Sequence, residues 1–199
     1  MDEGIRLIAV LVGGYVLGCF CSAYYLVLWK TGQDIRTLHS GTAGARNAGR
    51  VLGKTGFVLA LSIDIVKGVL AVLIARWILP CNSLSEMLGF TGAVIGHVLP
   101  VQLSFKGGKG ISVAVGSIGI INPFLLAVLA TVAGVVLLVM RRTSQCAVIA
   151  VALLPPVAWL LCDDLVQKVG FTFVAVVVLF FHRKNIRDIV RTYTIGENG

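Results

Sequence analysis

Residues 111–140 read ISVAVGSIGI INPFLLAVLA TVAGVVLLVM, a run with no charged side chain and one interruption, Asn122-Pro123. An untilted helix crosses a bilayer core in about 20 residues, so this run is too long for one span and too short for two full ones. Asn-Pro is a turn signal. Charge decides the reading. One span would put Lys106 and Lys109 on the opposite side from Arg141 and Arg142, whereas two short helices gather all four where basic loops collect.

Outward from this stretch, apolar runs occupy about 5–29, 56–79, 86–101, 111–121, 123–140, 145–161 and 165–181. With two helices in 111–140, thirteen of the 17 Lys and Arg fall on one side: Lys30, Arg36, Arg46, Arg50, Lys54, Lys106, Lys109, Arg141, Arg142, Arg183, Lys184, Arg187 and Arg191. Asp2, Glu3, Glu86, Asp163 and Asp164 fall on the other. The pattern predicts an all-α, polytopic membrane helical bundle of seven transmembrane helices, some short, with the N-terminus outside and the C-terminus cytoplasmic. Residues 1–199 are expected to form a single integral membrane domain.

Composition agrees. The chain of 199 residues is 57% hydrophobic and 13% charged, too little polar surface to coat a soluble globule. Its net charge of +8 therefore reads first as topology. The acidic start, Met-Asp-Glu-Gly-Ile-Arg, has no small-residue cleavage site after the first apolar run, so that run is expected to be a retained span. The five cysteines follow neither zinc nor disulfide spacing and read as apolar fillers. Nothing points to nucleic acid or to an obligate protein partner.

Three segments on the basic side carry chemistry. Residues 38–56 hold five glycines, Ser40, Asn47, Arg46, Arg50 and Lys54. Glycine admits close approach of backbone N–H groups to an anion, and arginine offers paired donors to phosphate oxygens. A merely topogenic loop remains the alternative. Gly53-Lys54-Thr55 ends like a P-loop, but Ala48 stands where the pattern requires glycine and no strand precedes it, which argues against nucleotide hydrolysis. Residues 96–111 bring Lys106, Gly107, Gly108 and Lys109 to the start of the next helix, again either an anion site or a turn with two topogenic lysines. Residues 181–191 form a basic amphipathic stretch in which His182 and Asn185 share a face.

His39, His97 and His182 fall one in each segment, but no cluster of carboxylates accompanies them, so no metal site is expected. Asp64 and Lys67 lie inside an apolar run. They either pair with each other to support the loops or contact substrate.

Together these segments resemble the bacterial membrane acyl-phosphate:glycerol-3-phosphate acyltransferases, the PlsY family. The matching residues are Ser40-Gly41 with Gly44-Ala45, Asn47, Arg50 and Leu52-Gly53-Lys54; Asp64-Ile-Val-Lys67-Gly68; Gly96-His97 with Pro100 and Phe105-Lys-Gly-Gly-Lys-Gly110; and His182-Arg-Lys-Asn185-Ile186 with Gly196-Glu197. The resemblance implies a multi-pass enzyme of the bacterial inner membrane whose cytoplasm-facing site moves a fatty acyl group from acyl phosphate to glycerol 3-phosphate, without metal or coenzyme. It implies Ser40, Arg50, Lys109, His182 and Asn185 as catalytic phosphate ligands, with Gly41, Asn47, Lys106, Gly107, Gly108 and Ser144 as further substrate contacts; Arg46, which the family does not share, is either one more substrate contact or a contact to lipid headgroups. The chain departs from the family at Thr42 and Arg46, usually asparagine and threonine, and at Ala147, where a serine is expected. A paralogue acting on another phosphorylated alcohol, a transporter of a phosphorylated compound and a lipid-binding subunit are the rival readings.

Overall fold

A computed structural model describes residues 2–141, 143–183 and 186–187, with backbone alone at 143 and 144. Arg142, Lys184, Asn185, Arg191, Gly196, Glu197 and the Ser144 side chain lie outside the described residues. Among the described residues every regular element is helical: α1 (Glu3–Cys19), α2 (Ser22–Thr31), α3 (Ala45–Ile78), α4 (Ser83–Val98), α5 (Ile111–Ile121), α6 (Pro123–Met140), α7 (Thr143–Leu161) and α8 (Leu165–Phe181). Each of the seven apolar runs is helical over most of its length, and α5 and α6 part at Asn122-Pro123, where proline opens the new helix without a lost hydrogen bond. Four segments are long and apolar enough to cross a membrane: Glu3–Thr31, Ala45–Ile78, Ser83–Leu103 and Pro123–Met140. Ile111–Ile121, Gln145–Leu161 and Leu165–Phe181 are shorter apolar helices.

Contacts divide the chain into two compact units, residues 1–122 and 123–199. In the first, small residues let backbones touch. A Cβ on Gly14 would lie 2.6 Å from the Gly89 carbonyl oxygen, and one on Gly18 would overlap the Ala93 carbonyl. From the other side, Gly92 and Gly96 of α4 press on the backbone of Leu11 and Tyr15 in α1. Between helices in lipid, where apolar side chains gain nothing by leaving a solvent that is itself apolar, such close packing is a main source of association. Gly68 of α3 and Gly116 of α5 meet the Val113 and Ile65 carbonyls in the same way.

The two ends of this unit differ in chemistry. At one, Arg76 Nε donates to Glu86 Oε1 at 2.7 Å and Arg76 Nη2 to the Ile120 carbonyl at 2.9 Å, while Asn82 reaches Glu3. At the other end lie the α2–α3 and α4–α5 connections, which carry Arg36, Lys106 and Lys109.

Two details correct the sequence reading. The first apolar run is not one helix: Phe20 and Cys21 are extended (ψ 93 and 92), which divides it into α1 and α2. Residues 38–56 are not one glycine-rich loop either, because α3 already begins at Ala45. Gly53 (φ 71, ψ −163) kinks α3 in a region of backbone space that only glycine occupies without strain. Gly49 and Gly56 are contact points of that kink, against Phe57 and Leu52. Of the five glycines, these three shape a bend rather than line an anion cradle.

In the second unit, α6 packs on α7 and α7 on α8. Asp164 caps α8 by accepting from the Val166 N–H at 2.8 Å, and Trp159 Nε1 donates to Thr172 Oγ1 at 3.2 Å. Only Leu125 and Leu129 of α6 are buried; an apolar helix this exposed suits contact with lipid.

Candidate active site

The first connection is shaped from within by Asn47. Its side chain is 1% exposed, and its Nδ2 faces the carbonyls of Ile35, Leu38 and Thr42 at 3.0, 3.1 and 3.0 Å. Its Oδ1 accepts from the Ser40 N–H at 3.3 Å. The sequence put Asn47 among the substrate contacts; in the fold its amide is turned into the loop's own backbone. What it holds up is an exposed hydroxyl pair, Ser40 Oγ and Thr42 Oγ1, 3.2 Å apart. Gly41, between them in the chain, is exposed, as are Arg46 in the first turn of α3 and Arg50 on the short helical stretch between Gly44 and the Gly53 kink.

Arg36 clasps this loop to the next one. Its Nε and Nη2 grip the Asp34 carboxylate at 3.0 and 2.6 Å, and its Nη1 donates to the Leu103 carbonyl at 2.6 Å. The guanidinium hydrogen bond holds the Asp34 carboxyl below the usual carboxylate range. The clasp is therefore at full strength above the ordinary carboxylate pKa and is lost only as pH falls through that lowered value. A second link is direct: the Ala43 N–H donates to the Gly107 carbonyl at 3.1 Å.

The second connection turns sharply after α4. The Pro100 carbonyl accepts from both Leu103 and Phe105, and Ser104 and Phe105 take positive φ (52 and 60). Gly108 N–H returns to the His97 carbonyl at 3.0 Å. Lys106 is exposed and Lys109 half-buried just ahead of α5. The fold thus brings Ser40, Gly41, Lys106, Gly107, Gly108 and Lys109 onto two loops whose backbones touch.

Beneath them lies a buried ionic cluster. Lys67 Nζ is 3.1 Å from Asp64 Oδ1, with side chains 3% and 1% exposed. Lys67 also donates to the Gly18 and Phe20 carbonyls at 3.1 and 2.7 Å, two acceptors freed where α1 breaks from α2. Gln102 Nε2 takes the neighbouring Cys19 carbonyl. Ser22 Oγ donates to Asp64 Oδ1 at 2.9 Å. The pair found by sequence is thus a brace for a broken membrane helix, whose open carbonyls need internal partners. The fourth contact of Lys67 is His97 Nδ1 at 2.8 Å, a partner that no sequence spacing announces.

His182 belongs to the second unit and follows α8. Its ring is 3% exposed and its Nδ1–H donates to the Val178 carbonyl at 2.8 Å, which leaves the lone pair of the neutral ring on Nε2. Its expected neighbour Asn185 and the Ser144 side chain are outside the described residues; Ala147 is half-buried in α7.

This arrangement has relatives. The pattern of the family described as "Glycerol-3-phosphate acyltransferase" matches residues 8–192, across both units. A protein of Desulfitobacterium hafniense (strain Y51) called glycerol-3-phosphate acyltransferase 1 is 37% identical over 191 residues, covering 95% of this chain and 93% of the relative. The chain belongs to this family. A glycerol-3-phosphate acyltransferase of Staphylococcus aureus (strain JH9) is 32% identical over 195 residues, 94% of this chain and 96% of the other. The fold is similar to the crystal structure of PlsY (YgiH), described as an integral membrane glycerol 3-phosphate acyltransferase, in its glycerol 3-phosphate form. The TM-score is 0.85 at 26% identity, over 94% of this chain and 92% of that one.

Proposed function

We propose that this acyltransferase moves a fatty acyl group from acyl phosphate to glycerol 3-phosphate in phospholipid synthesis, giving lysophosphatidic acid and inorganic phosphate. The observation that carries the reading is the pair of clasped loops, joined through Arg36–Leu103 and Ala43–Gly107, in a chain of this family. The acceptor hydroxyl oxygen attacks the acyl carbon, the carbon–oxygen bond to phosphate breaks, and the hydroxyl proton goes to the departing phosphate. An acyl phosphate is a mixed anhydride with a leaving group that is already anionic. Positioning and charge stabilisation therefore suffice for most of the catalysis, and neither a metal nor a coenzyme is needed.

In this reading Ser40, Arg50, Lys109, His182 and Asn185 bind the phosphate groups, helped by Gly41, Arg46, Lys106, Gly107, Gly108 and Ser144. Asn47 acts through the loop it shapes. The two units work as one catalytic domain of seven spans in the bacterial inner membrane, with the N-terminus outside and the site and C-terminus at the cytoplasmic face. Trp29 and Trp77, 76% and 83% exposed near the opposite ends of unit 1, suit the two interfaces of such a bilayer.

The donor distinguishes this reading from thioester-dependent acylation. Purified protein given glycerol 3-phosphate is expected to form lysophosphatidic acid from acyl phosphate, and none from acyl-coenzyme A. Product from the thioester alone would refute the proposed donor.

A further inference from the structure

The buried cluster has more to do than close a broken helix, because one of its members touches the glycine loop. Lys67, as an ammonium, has no lone pair, so at 2.8 Å from His97 Nδ1 it must be the donor. The His97 proton is thereby fixed on Nε2, and the ring is held in one orientation, 2% exposed. The Nε2 edge of that ring faces Gly108. A Cβ added to Gly108 would overlap Nε2 and lie 2.7 and 3.0 Å from Cε1 and Cδ2. The His97 carbonyl meanwhile accepts from the Gly108 N–H at 3.0 Å, and it blocks any side chain at Gly107.

We propose that His97 is a positioning residue for the phosphate-binding loop: locked by Lys67, its imidazole is the wall against which Gly108 rests, and so it sets where Lys109 stands. Ser22 holds Asp64, Asp64 holds Lys67, Lys67 holds His97, and His97 holds the loop. The chain of contacts explains why an ion pair costly to bury lies directly beneath this loop. The role rests on the acyltransferase reading, since it is a role in that reaction.

A double-mutant cycle tests it, with kcat and KM for glycerol 3-phosphate and acyl phosphate measured on purified protein. Gly108→Ala is expected to lower kcat/KM by about a hundredfold, mostly through KM, because the loop must move away from the ring. His97→Asn keeps an acceptor for Lys67 but withdraws the ring edge. In that background Gly108→Ala is expected to cost less than about threefold, a strong departure from additivity. Equal costs of Gly108→Ala in both backgrounds would overturn the proposal. If His97→Asn does not give folded protein, His97→Gln serves in the same cycle, since its flexible end can yield to a Cβ. Failure of both to fold would make His97 a purely structural residue and also overturn it. Wild-type protein in the same assay separates the two levels: no transfer at all strikes the acyltransferase reading, whereas additive costs in an active enzyme strike only the role of His97.

Discussion

Arg50→Ala and Lys109→Ala are each expected to lower kcat/KM for acyl transfer by about a hundred- to a thousandfold, with the unfolding temperature in detergent little changed. Arg50 is exposed between Gly44 and the Gly53 kink, so the bend that carries it depends on glycine contacts and not on its own side chain. Lys109 is half-buried at the mouth of α5, on the loop whose backbone is bound to the first through Ala43 and Gly107. In the proposed site, removing either cation takes away charge that would face phosphate oxygens, while the clasp at Arg36 stays intact. Arg50→Lys is expected to recover little, because an ammonium does not reproduce the paired donors of a guanidinium. Steady-state kinetics with both substrates varied checks this; full activity in either alanine variant would remove that residue from the site.

The second large effect concerns the fold. Lys67→Met is expected to destabilise the protein by about 3–5 kcal/mol, the size found when one member of a buried ion pair is removed. Asp64 would be left charged and buried with Ser22 as its remaining donor, and the Gly18 and Phe20 carbonyls would lose their shared partner. Lys67→Met combined with Asp64→Asn is expected to regain part of the loss, since no unpaired charge is then buried. Thermal unfolding of the three proteins in one detergent reads both effects. A single variant as stable as wild type would mean that the cluster does not brace the α1–α2 break.

How far the sequence carried depended on whether a feature is local. The seven apolar runs and the parting at Asn122-Pro123 were legible because apolarity and proline act along the chain. The break at Phe20-Cys21 was not, since Gly18-Cys-Phe-Cys-Ser22 is continuous with the apolar residues before it, and the groups that make the break tolerable, Lys67 and Gln102, are distant in sequence. Residues 45–52 were read as loop because glycine was given conformational work. Gly49 and Gly56 instead serve contact, a distinction that depends on Phe57 and Leu52 packing across the kink. The glycine pairs Gly14/Gly18 and Gly92/Gly96 have a spacing of four that could have announced the α1–α4 interface.

For the site, composition singled out the loops that do meet, and Asp64 with Lys67 stood out as charges in an apolar run. It could not tell that the Asn47 amide turns inward, since an amide serves a ligand and a loop backbone equally well. Nor could it find Arg36 as the clasp, because its partner is a main-chain carbonyl with no sequence signature.

The central claim, that two clasped basic loops serve acyl transfer to glycerol 3-phosphate, is tested most directly by phosphate release from labelled acyl phosphate. The purified protein is assayed with and without glycerol 3-phosphate and with a panel of other phosphorylated alcohols, which also tests whether Thr42 and Arg46 have changed the acceptor. Release that depends on glycerol 3-phosphate and matches lysophosphatidic acid formed one for one is the predicted result. Release that ignores glycerol 3-phosphate, or that requires a different acceptor, would contradict the account.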